Sequence, residues 1–124
     1  MKKILFALAV TVLLAVSALP VAAASNAPGT ILHVVTVQWK ADSTPAQQQA
    51  AIDGLSKMAV EIPGIRTIWV KKLKVQPAEF SAVFAIEFEN KAAFEAYTNH
   101  PAHQAWEKIY LPIREESRTQ DITN

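Results

Sequence analysis

Histidine and tyrosine are the residues of this chain best suited to chemistry. There are three histidines, His33, His100 and His103, and two of them fall in the stretch Tyr97-Thr98-Asn99-His100-Pro101-Ala102-His103. An imidazole changes charge near neutral pH without help, so a histidine in a pocket is a ready general base. A tyrosine hydroxyl can polarise a carbonyl or stabilise an enolate. Together they suffice for proton abstraction beside a carbonyl and an aldol-type closure, with no metal and no cofactor. Each residue also has a plainer role. His100, just before Pro101, can cap a helix start. His103 and His33 can be hydrogen-bonded core histidines, and Tyr97 can be a core aromatic with its hydroxyl at the surface. His100, His103 and Glu107 have spacings that suit zinc on one helix, but Pro101 disturbs the geometry of His100, and no metal is expected. With no cysteine in the chain, thiol catalysis and Cys-ligated metal are excluded. Trp39, Trp69 and Trp106 either line a pocket for an apolar ligand or fill the core.

The elements that would carry these side chains are readable from periodicity. Ile31–Trp39 alternates as a strand, with His33, Val35, Val37 and Trp39 on one face and Leu32, Val34, Thr36 and Gln38 on the other. Thr44-Pro45 with Gln47 has the spacing of a capping box, and Ile52, Leu55, Met58, Ala59 and Ile62 follow at helical intervals until Pro63-Gly64 stops them. Gly54 weakens that helix by roughly 1 kcal/mol relative to alanine. A second strand is expected over 65–75. A third is expected over 80–89, after a short connection at 76–79 that suits an antiparallel hairpin. Asn90 caps a helix to about Thr98 with Phe94 and Tyr97 on its inner side. Pro101 opens another helix, which aligns His103, Trp106 and Tyr110. Ser117–Thr123 is expected to form a short final strand, although only Ile122 there is clearly apolar. The Lys71-Lys72-x-Lys74 run reads as a solvated strand end.

The resulting order, β-α-β-β-α-β, is the split βαβ of an α+β, ferredoxin-like domain: an antiparallel sheet with helices on one face. The other face then lacks cover. Val34, Val83 and Ala85 belong to it if the helices cover the His33 side. A bare apolar sheet face on a small domain without disulfides is an association surface, and a homodimer is expected.

The first 24 residues have the pattern of a secretory leader: Lys2 and Lys3, an apolar run from Ile4 to Leu19, then Pro20 and small residues through Ala24. Cleavage is expected after Ala24, which makes the protein exported, periplasmic or secreted, with membrane contact only through the leader before cleavage. The apolar run is about 16 residues, short of the roughly 20 needed to span a bilayer. Absence of a cysteine near the cut excludes a lipid anchor. Residues 25–30 then form a short linker and 31–123 the domain. Of 12 basic residues, Lys2 and Lys3 lie in the leader, leaving ten against 11 acidic ones, a net charge of −1 with neutral histidines. That balance argues against nucleic acid as a partner.

Four segments carry a resemblance over most of the mature chain: Ile31-Leu32-His33-Val34-Val35, Glu61-Ile62-Pro63-Gly64-Ile65, Phe84-Ala85-Ile86-Glu87-Phe88-Glu89, and Ala96 through Gln104. Together they resemble the stress-responsive dimeric α/β-barrel domain, with Tyr-x-x-His-Pro-x-His the most specific part. The resemblance implies a ferredoxin-like monomer, a homodimer whose sheets form a barrel, and a small pocket between sheet and helices. The family is functionally mixed: plant stress and antimicrobial proteins, bacterial proteins of unassigned role, and a plant polyketide-cyclase branch. By resemblance to that branch, Tyr97 and His103 match its catalytic pair and His33 its first-strand pocket histidine, while His100 and Trp106 are further pocket candidates. A third-strand pocket histidine has no counterpart here; Ala82 stands about there. Two functions follow as expectations. One is a non-catalytic dimeric protein that holds a small apolar or carbonyl-containing ligand; the other is a cofactor-free lyase or cyclase.

Overall fold

The computed structural model describes residues 29–124, so the expected leader and residues 25–28 of the linker lie outside the described residues. The chain order is β1 (Ile31–Trp39), α1 (Pro45–Glu61), β2 (Ile65–Trp69), β3 (Ala82–Phe88), α2 (Lys91–Tyr97), α3 (Pro101–Tyr110), a 3-10 turn (Leu111–Ile113) and β4 (Arg114–Thr123). The sheet runs β2-β3-β1-β4, antiparallel at every pairing. β1 and β2 therefore flank β3, which is the expected split βαβ.

Local chemistry sets the helix starts. Thr44 and Gln47 form the capping box: Gln47 N–H donates to Thr44 Oγ1 at 3.2 Å, and Thr44 N–H donates to Gln47 Oε1 at 2.8 Å. Asn90 Oδ1 accepts from Ala93 N–H at 2.9 Å to start α2. α3 starts on a histidine cap, described below. The helices cover the sheet face formed by Val35, Val37, Phe84, Ile86 and Phe88, all buried, and add Leu55, Met58, Tyr97, Trp106 and Tyr110 to one core.

Gly54 is where α1 and α3 meet most closely. A Cβ at this position would lie 2.8 Å from Trp106 Cδ1 and 3.3 Å from Nε1. The indole has little room to retreat, because Nε1 donates to the Ala51 carbonyl at 2.8 Å and the ring stacks on Tyr110 at 4.4 Å. Gly54→Ala should therefore destabilise the domain by up to about 2 kcal/mol: overpacking, typically 1–3 kcal/mol, outweighs the roughly 1 kcal/mol of helix propensity gained. Urea unfolding of the two proteins checks this, and a more stable alanine variant would refute the close-packing account.

Three boundaries differ from the sequence expectation. The second strand was expected over 65–75 but ends at Trp69. Beyond it Lys71, Lys72, Leu73 and Lys74 are all exposed, so this stretch has no apolar face to hold it in the ladder. Lys72 Nζ instead donates to the Ser81 carbonyl. The link to β3 is therefore the whole of 70–81, not a four-residue hairpin, and β3 begins at Ala82 instead of residue 80. The final strand starts at Arg114, not Ser117, because its full length pairs with β1, from Trp39 opposite Arg114 to Ile31 opposite Thr123. Its outward residues are polar, so only the pairing reveals it.

The second sheet face carries Leu32, Val34, Val83 and Ala85, as the alternation predicts. Register adds Trp69, opposite Ala85, and Ile122, opposite Leu32. Trp69 is 49% and Ile122 56% exposed. Among the described residues no helix is long and apolar enough to cross a membrane.

Candidate functional site

Between the helix-covered sheet face and α3 lies a cavity of about 170 Å³, with His33, Tyr97, His103, Trp106, Tyr110 and Arg114 in its wall. β1 supplies His33, the end of α2 supplies Tyr97, and α3 supplies His103, Trp106 and Tyr110 from one helical face. β4 closes the cavity through Arg114, Ser117 and Thr119.

Hydrogen bonds orient both cavity histidines. His33 Nδ1 lies 2.6 Å from Asp121 Oδ1, its cross-strand neighbour in the β1–β4 register. An ionised carboxylate only accepts, so Nδ1 carries the hydrogen and the neutral ring keeps its lone pair on Nε2. His103 Nδ1 lies 3.1 Å from the Thr98 carbonyl. A carbonyl likewise only accepts, so here too Nε2 is the basic nitrogen. Glu107 Oε1 stands 3.9 Å from that Nε2, beyond hydrogen-bond range.

Tyr97 packs between the two rings. Its centroid is 4.1 Å from His103 and 6.0 Å from His33. Burial pushes its hydroxyl well above the ordinary tyrosine range, and the negative charge of Glu107, then Tyr110 and Asp121, adds to the shift. Tyr97 is thus a neutral donor throughout the physiological range, able to give a hydrogen bond to a carbonyl oxygen.

The structure brings His33, Tyr97, His103 and Trp106 together. It does not bring His100 with them: its Nδ1 accepts from Ala102 N–H at 3.1 Å and caps α3, and it is absent from the cavity wall. That cap also takes His100 away from the zinc spacing with His103 and Glu107; among the described residues no cluster of three potential ligands forms. Ala82 sits opposite Val37 and lines a different, larger groove of about 540 Å³. That groove lies between α1 and the 70–83 stretch, is flanked by Ile52, Asp53, Lys71 and Lys72, and contains none of the histidines or tyrosines. The histidines and tyrosines gather at the smaller cavity.

Sequence reasoning missed Asp121, Tyr110 and Arg114 as site residues. A signal existed for Asp121: period-two alternation puts Ser117, Thr119 and Asp121 on one face of the last strand. Tyr110 was aligned with His103 and Trp106 but not assigned a place in the site. Arg114 lies before the strand expected over 117–123.

A four-stranded antiparallel sheet with helices on one face, and between them a pocket lined by two oriented imidazoles and two tyrosines, defines a ferredoxin-like α+β domain with a polar site. The stress responsive A/B barrel domain model matches residues 31–124, and the chain belongs to that family. Solved structures agree on the fold. A dimeric ferredoxin-like protein of unknown function from Thermobifida fusca superposes with a TM-score of 0.68 at 23% identity, over 77% of this chain and 91% of its own. A Dabb family protein from Mesorhizobium loti gives 0.67 at 23% identity, over 77% and 97%. Hydroxynitrile lyase from Passiflora edulis gives 0.65 at 16% identity, over 79% and 95%. No curated protein matches the sequence.

Proposed function

We propose that this chain acts as an exported homodimer whose small cavity binds a carbonyl-containing molecule. The observation that carries this reading is the convergence of a neutral tyrosine donor, Tyr97, and two imidazoles with fixed tautomers on one cavity of about 170 Å³. Such a site offers a hydrogen bond to a carbonyl oxygen and apolar walls to the rest of a small molecule. Export rests on the leader pattern of the first 24 residues. Self-association rests on the apolar second face of the sheet and on relatives that are themselves dimeric.

A second reading, a cofactor-free lyase or cyclase, is favoured by one specific feature. In both cavity histidines Nδ1 is tied to an acceptor, so Nε2 is the atom left to take a proton. In that reading His103 Nε2 removes a proton beside the carbonyl while Tyr97 donates to the developing enolate oxygen. The imidazolium then returns the proton to the product. The lyase from Passiflora edulis contributes only its fold to this argument, at 16% identity.

His103→Gln separates the two. It keeps the size and a donor for the Thr98 carbonyl but removes the titratable ring. If His103 is a base, folding stays nearly intact and turnover falls by about 10²–10⁴. If it only supports the cavity, the change lowers stability by about 1–3 kcal/mol and ligand binding falls no further than stability does. Thermal melts and a screen against small carbonyl and phenolic compounds, run on both proteins, distinguish these outcomes. No turnover in the wild type together with a clear loss of melting temperature would end the catalytic reading.

A further inference from the structure

Charge is unevenly spread along the chain that follows the leader. Between Ile62 and Ala78 stand four cations, Arg66, Lys71, Lys72 and Lys74, and no carboxylate. The rest of the domain has six cations against all 11 carboxylates. A nearly neutral protein therefore carries one strongly positive segment on an acidic body. All four of these cations are exposed, and among the described residues none of them enters an ion pair.

Three of them flank Leu73, in the link between β2 and β3. At 104%, Leu73 is the most exposed of the large apolar side chains among the described residues, so its own fold gives it no cover. The base of the link is held while this tip stands out. Val70 packs against the core on one side, and Phe80 is 1% exposed on the other. Lys72 Nζ donates to the Ser81 carbonyl, and Phe80 N–H donates to the Pro77 carbonyl at 3.0 Å. The ladder with β3 stops at Trp69, so Leu73 is not part of the strand face that carries Val34, Val83 and Ala85.

A single exposed leucine is ordinary. A leucine with ammonium groups on both sides and no carboxylate nearby has the chemistry of a bilayer boundary. There the apolar tip leaves water, and each lysine lays its stem along apolar surface while its charge reaches a lipid phosphate. Nucleic acid would engage the lysines but leave Leu73 uncovered. The acidic remainder of the domain is repelled by the same anionic surface, which selects the orientation with the link facing it.

We propose that the tip of this link docks the domain on an anionic lipid surface, with Leu73 at the acyl boundary and Lys71, Lys72 and Lys74 at the lipid phosphates. This membrane contact is additional to that of the leader, and it does not depend on what the cavity binds. It is weak and reversible: each lysine contributes about fivefold in binding at low salt, and the leucine about tenfold.

Cosedimentation of the purified protein without its leader tests this, using phosphatidylglycerol vesicles and phosphatidylcholine vesicles. The wild type should bind the first at least tenfold more tightly, and added salt should remove most of the difference. Lys71→Gln and Lys74→Gln should each lower binding about fivefold, and Leu73→Ser about tenfold. All three side chains are exposed, so circular dichroism and melting temperature should stay as in the wild type. Lys108→Gln, a lysine of α3 outside the link, should change vesicle binding by less than about twofold. Equal binding to the two vesicles, or binding to neither, would overturn the proposal. So would a loss in Lys108→Gln as large as in Lys71→Gln, which would mean that charge anywhere on the surface suffices. A Leu73→Ser variant that binds vesicles like the wild type but sediments as a monomer would overturn it too, and would assign the link to the second copy.

Discussion

Trp106→Ala should destabilise the domain by about 3–5 kcal/mol, the usual range for deleting a large buried aromatic. Three contacts are lost together. The indole stacks on Tyr110 at 4.4 Å, meets Phe84 edge-on at 5.8 Å, and its Nε1 donates to the Ala51 carbonyl at 2.8 Å. The last of these ties α3 to α1 directly. Domains of this size have only about 5–15 kcal/mol in total, so the variant should unfold at a much lower urea concentration than the wild type. Trp106→Phe keeps most of the apolar area and loses the hydrogen bond, so it should cost less. The cavity should change as well, since Trp106 is part of its wall. Urea titrations of the three proteins decide the matter. An alanine variant with the wild-type midpoint would show that α1 and α3 are held by something other than this residue.

The same residue shows what sequence can and cannot convey. The spacing of His103, Trp106 and Tyr110 already placed them on one helical face, and the capping box at Thr44 was readable because its two bonds are local. The strand alternation of β1 and β3 was readable for the same reason: period two exposes which residues share a face. What resisted was everything set by register between distant segments. Asp121 reaches His33 only because β4 pairs with β1, and a polar edge strand carries little hydrophobic signal. Lys71 to Val75 follows directly on the β-branched run that begins at Ile65, and sequence alone does not say whether a neighbour continues the ladder. Gly54 looked like a weak point in a helix, whereas its lack of a side chain is what admits Trp106. The motif by itself places His100 in the pocket. The fold uses it as a cap, a role that the following proline also suggested.

Ala85→Asp should convert a dimer into monomers without unfolding the protomer. Ala85 lies at the middle of the sheet face that the helices leave bare, opposite Val34 on β1 and opposite Trp69 on β2. Leu32, Val83 and Ile122 extend the same face. In a lone protomer an aspartate here is solvated, and the core on the other face is untouched. Between two sheets packed face to face it would be a charge buried without a partner, which costs about 3 kcal/mol or more. A two-fold dimer contains the substitution twice, so the penalty doubles to about 6 kcal/mol, or roughly four orders of magnitude in the dissociation constant. Sedimentation velocity at micromolar concentration should show the wild type as a dimer and the variant as a monomer, with circular dichroism of both showing the same secondary structure. Lys57→Asp, on the exposed side of α1, should leave the dimer intact. A wild type that sediments as a monomer, or an Ala85→Asp variant that stays dimeric, would mean that the apolar face has some other use.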